Sequence, residues 1–239
     1  MGLSDTQTLS VTAFLLAVGV GVLLASAAFL GHAADRLRAA GAEPKAQWWL
    51  LALVAVWFGT ALAVSAGDLI SFRLVVPFVA FPIALGLALT FARPVRDLLA
   101  EIPTHWLVAV QVYRVAGGVF VYPYLTEGVL SRGFALNAGV GDVLTGLAAP
   151  LVAWLVLRRG AGARAPFLGW TVFGILDLVV AISSAAYFGF GAEGVRPQFP
   201  ITSIPLFFGP PFGILIHLVT ARNFALRFAP PLTALERAV

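Results

Sequence analysis

Seven runs of apolar residues, each about 20 long, take up most of the chain, at roughly 8–30, 47–66, 73–91, 104–124, 136–157, 166–190 and 200–221. A helix of that length spans the hydrocarbon of a bilayer, where a backbone must satisfy its own hydrogen bonds. The chain is therefore expected to be all-α: a polytopic membrane protein with seven transmembrane helices in a single domain, residues 1–239. Only 11% of its residues are charged, whereas soluble domains carry about 25%.

Basic residues between the runs set the orientation. Arg36, Arg38, Lys45, Arg93, Arg96, Arg158, Arg159, Arg164, Arg222, Arg227 and Arg237 fall on one side; only Arg73, Arg132 and Arg196 fall on the other. The N-terminus is expected outside and the C-terminus in the cytoplasm. The same arginines account for the net charge of +4, so no nucleic-acid partner is implied. The first run has no basic residue before it and is longer than a signal-peptide core, so it is expected to stay in the protein. Ala, Gly and Arg are frequent, and Lys45 is the only lysine. That usage fits a GC-rich bacterial gene and an inner-membrane location. A lone lysine in a loop excludes a retinal Schiff base within the bilayer. The lack of cysteine excludes disulfides, thiolate metal sites and thiol nucleophiles. Tryptophans 48, 49, 106, 154 and 170 are expected near membrane interfaces.

Comparison of the chain with itself suggests a duplication. Gly19-Val-Gly-Val-Leu-Leu-Ala-Ser-Ala-Ala parallels Gly139-Val-Gly-Asp-Val-Leu-Thr-Gly-Leu-Ala-Ala; Trp57-Phe-Gly parallels Val172-Phe-Gly; and Pro77 and Pro82 are spaced like Pro205 and Pro210. The arrangement is a 3+1+3 parallel repeat: 1–92 as the first half, 103–124 as a connecting helix and 136–224 as the second half. Chance alignment of small apolar residues would look similar, and both readings stay open.

Three charges lie well inside the runs. The fourth carries Gln111 and Arg114, with Gly118 and Tyr122 following on the same α-helical face. The fifth carries Asp142, with Ala138 and Thr145 beside it. The sixth aligns Gly174, Asp177, Ala181 and Ser184. At a bilayer centre each charge costs at least about 2.5–3.5 kcal/mol. Arg114, Asp142 and Asp177 are therefore expected to face one another inside the bundle. One arginine and two aspartates leave a formal excess of one negative charge, to be met by a cation, a proton or a further partner. A ligand site and a purely structural clamp both fit.

In the seventh run, Gly209-Pro210-Pro211-Phe212-Gly213 removes two backbone donors and is expected to break or kink the helix beside a site. His217 lies further along. A bis-histidine haem through His105 and His217 is conceivable in depth, but no ligand spacing supports haem or a metal; no cofactor is assigned. Gly139-Val-Gly-Asp142 matches the short signature of intramembrane aspartyl proteases, with Asp177 as the second acid. The order of the two acids is reversed relative to that family, no Pro-Ala-Leu follows, and Arg114 opposes the shared proton such a dyad needs. The reading leans against an enzyme.

From Gln111 onward, Gln111-x-x-Arg114-x-x-Gly117, Phe134-Ala-Leu-x-Ala-Gly-x-Gly-Asp142, Gly146-Leu-Ala-Ala-Pro150 and Gly174-Ile-Leu-Asp177 resemble an uncharacterised family of bacterial multi-pass membrane proteins. The resemblance covers roughly the last half of the chain. It implies no activity, only that these polar positions belong together.

Two functions follow. One is transport of a small solute or ion through a site of Gln111, Arg114, Asp142, Thr145, Asp177, Ser184 and His217. The other is a non-catalytic subunit of a respiratory or photosynthetic assembly touching quinone, lipid or pigment. Partners are then the bilayer and either other membrane subunits or further copies of the chain.

Overall fold

A computed structural model of the chain describes residues 5–67, 72–121, 130, 132–189 and 203–228, and the regular elements among them are all helical. They are α1 (Asp5–Ala39), α2 (Gln47–Ala66), α3 (Phe72–Phe91), α4 (Arg93–Ala100), α5 (Thr104–Ala109), α6 (Arg132–Arg159), α7 (Arg164–Ser184) and α8 (Ser203–Phe228). A 3₁₀ segment, Val110–Gly117, prolongs α5, and a π-helical turn, Ala185–Gly189, prolongs α7. Tyr122, Arg196 and Arg237 lie outside the described residues.

Thr6–Ala39, Gln47–Ala66 and the run Arg132–Tyr187 are long and apolar enough to cross a membrane. Val76–Phe91 and Arg93–Ala100, bent by 88°, add a fourth if the pair is one span. The run Arg132–Tyr187 folds back on itself. Gly160 takes φ +52° at the reversal, a conformation that a side chain would strain. Thr145 then meets Trp170, and Asn137 meets Ser184. As one number rises the other falls, so α6 and α7 run antiparallel.

The packing of this hairpin inverts the soluble pattern. Val140, Leu144, Leu147, Leu151 and Trp154 form an exposed stripe on α6, three or four residues apart. The opposite face, with Ala138, Gly139, Thr145, Gly146 and Ala149, is buried. Small residues inside let backbones approach closely, while the large apolar side chains point outward. Aromatic contacts tie the remaining helices together. Phe58 of α2 meets Phe208 of α8 edge-on at 5.0 Å, and Phe167 of α7 stacks on Phe224 of α8 at 4.2 Å.

Four expectations change. Residues 93–100 form a helix instead of a loop, because Val95 and Leu98 bury one face while Arg93, Arg96 and Asp97 stay outside. The carbonyls at its end and just beyond are met in part from α8: Asn223 donates to Leu99 (2.7 Å) and Ile102 (3.2 Å), and Arg227 donates to Ala100 (3.0 Å) and Ile102 (3.1 Å). Secondly, Pro210 and Pro211 do not break α8, which continues from Ser203 to Phe228. Donors from the α5 arm brace that stretch, Tyr113 Oη to the Gly209 carbonyl at 3.1 Å and Gln111 Nε2 to that of Gly213 at 3.2 Å. Thirdly, the fourth apolar run is interrupted: it is α-helical over 104–109 and again over 118–121, with the 3₁₀ segment between. Finally, Trp170 is buried, its indole N–H bonded to the Thr145 carbonyl at 3.0 Å.

Candidate functional site

The 3₁₀ segment sets the site. With three residues per turn, Gln111, Arg114 and Gly117 eclipse on one edge, and all three are buried. An α-helical reading of the same stretch puts Gly118 on that face; in the structure Gly118 is only half-buried, and Gly117 takes its place.

Arg114 is the hub, with a side chain 1% exposed. Its Nε donates to Asp142 Oδ1 at 2.7 Å and its Nη2 to Asp177 Oδ2. Nη1 donates to the Gly174 carbonyl at 3.0 Å and lies 3.1 Å from His217 Nε2. Arginine can only donate, so His217 must accept there. The imidazole is then neutral, with its proton on Nδ1. Four of the five guanidinium hydrogens are thereby committed within the protein.

Glycines make room for this cluster. A Cβ on Gly117 would overlap that of Asp142, one on Gly141 would overlap the Asp177 carboxylate, and one on Gly174 would overlap the His217 ring. At Gly146 a Cβ would stand 2.6 Å from the Val115 amide nitrogen. The helices therefore touch where the charges sit, and the two carboxylates meet on one guanidinium. With His217 neutral, the charges of Arg114, Asp142 and Asp177 sum to one negative unless one proton is shared between the acids.

One carboxylate is more open than the other: the side chain of Asp142 is 15% exposed, that of Asp177 5%. A cavity of about 50 Å³ reaches Asp142 and Arg114 between Tyr113, Gly117, Gly19 and Gly209. Val18 and Val22 of α1, Phe58 of α2 and Phe208 of α8 complete its wall.

Of the seven residues expected at the site, Arg114, Asp142, Asp177 and His217 touch one another. Gln111 adjoins them on the 3₁₀ edge; its Nε2 donates to Gly213, while its buried Oε1 has no partner among the described residues. Thr145 is buried one helical turn from Asp142, and its hydroxyl has no partner among the described residues. Ser184 is elsewhere: its hydroxyl accepts from Asn137 at 3.2 Å, nearer the α7 end. His105 packs on Trp106 while His217 turns Nε2 to Arg114. Among the described residues no group of His, Asp and Glu is placed to hold a metal. Tyr113, which donates to the Gly209 carbonyl and lines the cavity, belongs to the site but was not singled out from sequence. Gly117 and Gly141 stand in the sequence motifs around Arg114 and Asp142, and the structure shows what each makes room for.

Fold and site together define an all-helical protein with helices long enough to cross a membrane and a buried arginine–diaspartate–histidine cluster. The chain belongs to a family defined by a domain of unknown function, DUF8737, whose model matches residues 71–224. That match begins upstream of the resemblance seen in sequence and takes in α3, α4 and the whole cluster. No curated protein and no solved structure matches the chain.

Proposed function

We propose that the protein is a seven-span integral membrane protein of the bacterial inner membrane, N-terminus outside, that carries protons or small cations through the Arg114–Asp142–Asp177 site. The outward leucine stripe and inward charges support the membrane reading, since buried charges are tolerated only when complemented inside a bundle. The 3+1+3 repeat belongs to the same reading and is compatible with alternating access.

One observation favours a cation over an anion. Arg114 has spent four of its five donors on the protein, so it acts as a counter-ion and has little left for an anionic solute. The group open to the cavity is the Asp142 carboxylate, which when ionised accepts hydrogen bonds or pairs with positive charge. Because the cluster is negative by one charge unless protonated, a proton and a monovalent cation compete for the same deficit. That competition is the elementary step of an exchanger.

Vesicles containing the purified protein and an internal pH indicator test this. Gradients of sodium, potassium or ammonium should drive proton movement faster than in protein-free vesicles. Asp142→Asn and Asp177→Asn should reduce it to the protein-free rate. If wild-type vesicles match empty ones for all these cations, the transport reading fails. Stoichiometric partners retained in mild detergent would then support the subunit reading.

A further inference from the structure

A second hollow adjoins the site. Between α1 and the α5 arm lies a groove of about 600 Å³, lined by Gly21, Ala25 and Ala28 on one side and Trp106, Ala109 and Val112 on the other. Val18, Val22 and Tyr113 line both this groove and the cavity at Asp142. The small residues of α1 keep the groove open: a Cβ on Gly21 would meet nothing within 4 Å. Along its length the groove presents apolar side chains, and the first ionisable groups beyond Tyr113 are those of the cluster.

We infer that this groove is a lateral entry for amphiphilic amines, with the tail lying along α1 and the ammonium group reaching Asp142. The inference rests on the cation reading above and names its substrate class. Three features select the occupant. The groove offers an apolar tail about an order of magnitude more space than the inner cavity offers a head, so the head must be small. The exposed group at the inner end is a carboxylate, so the head must be cationic. The groove is lined by apolar side chains on both walls, so the ligand arrives from lipid more readily than from water.

Charge balance fixes the exchange. As one alkylammonium arrives, the proton shared by Asp142 and Asp177 leaves for water, and the cluster again sums to zero. Return of a proton releases the amine.

Trp106 in the groove wall provides the readout. Detergent-solubilised protein is titrated with a terminally brominated medium-chain alkylamine, and with the alkanol and alkanoate of the same chain. The heavy atom quenches any indole it lies against, and Trp106→Phe identifies the share due to that residue. The amine should quench Trp106 saturably and release one proton per site in weakly buffered solution, whereas alkanol and alkanoate should show only the linear quenching of partition. Asp142→Asn should weaken amine binding by at least about tenfold. Gly21→Leu, which fills the groove without touching the cluster, should weaken it comparably.

Equal quenching by all three head groups overturns the inference, as does amine affinity unchanged in Asp142→Asn and Gly21→Leu. If Asp142→Asn fails to fold, Gly21→Leu and the head-group series still decide. Asp142-dependent movement of protons or simple cations without head-group selectivity would remove this inference alone. Loss of both would remove the transport reading beneath it.

Discussion

Gly141 of α6 lies directly against the Asp177 carboxylate of α7, so that any side chain at position 141 would occupy the space the carboxylate holds. The contact explains why a charged pair can form between closely packed helices at all. Gly141→Ala should push Asp177 off Arg114 and lower stability by about 1–3 kcal/mol, as overpacking does. Gly21→Ala, on a helix with open space at that position, should be neutral or slightly stabilising because alanine is the better helix former. Thermal melts of the two variants in the same detergent provide the comparison.

Arg114 makes a second prediction possible, one that separates architecture from chemistry. Removing one partner of a buried ion pair costs about 3–5 kcal/mol, because the other charge is left uncompensated. Arg114→Met should therefore be strongly destabilised. Replacing all the charges together, in Arg114→Met with Asp142→Asn and Asp177→Asn, should recover much of that loss, since whole buried pairs contribute little net stability. The triple variant should still be inactive in vesicles if the cluster carries cations. A triple variant that is both stable and fully active would assign the cluster to folding alone.

Much of the site was legible in sequence for one reason. Charges inside apolar runs are expensive enough that Arg114, Asp142 and Asp177 had to find one another. What stayed hidden depended on backbone form. Gln111, Arg114 and Gly117 share an edge only in a 3₁₀ helix; the same letters read as α-helix point instead to Gly118 and Tyr122. Gly117 and Gly141 stand in the motifs around the charges, but which carboxylate each admits shows only once their neighbours are known. Residues 93–100 escaped notice because eight residues with charges at three positions read as a loop. The two prolines of α8 misled in the other direction, since Tyr113 and Gln111, which brace that stretch, are about a hundred residues away in sequence.

The short helix α4 yields a third prediction. Asn223 is buried, and its amide donates to two carbonyls, Leu99 and Ile102. Asn223→Asp keeps the shape but sets a carboxylate, which cannot donate, against two acceptors. It should be worse than Asn223→Ala, which removes the amide donor but leaves the Leu99 carbonyl with the Ile102 N–H and the Ile102 carbonyl with Arg227, at about 0.5–1.5 kcal/mol. Limited proteolysis between residues 92 and 103 should accelerate in the same order, Asp before Ala before wild type. Equal rates for all three would mean that α4 is held by Val95 and Leu98 alone.

His217 offers the last test, because its role follows from a donor count. Arg114 cannot accept, so the contact at 3.1 Å is a hydrogen bond only if His217 Nε2 carries no proton. Nitrogen-15 NMR of the labelled protein should show His217 as the neutral Nδ1–H tautomer, distinct from His32 of α1 and His105 at the start of α5. His217→Gln can rotate a side-chain oxygen toward Arg114 and should retain most of the stability, whereas His217→Phe keeps the packing against Trp170 but offers no acceptor. The difference between these variants should be about 1–3 kcal/mol, the range for a buried donor left unmet. If His217→Phe proves as stable as His217→Gln, or the ring is protonated on Nε2, then Arg114 is held by the two aspartates and the Gly174 carbonyl without help. The guanidinium would then have a donor to spare, and the argument against an anionic ligand would lose its footing.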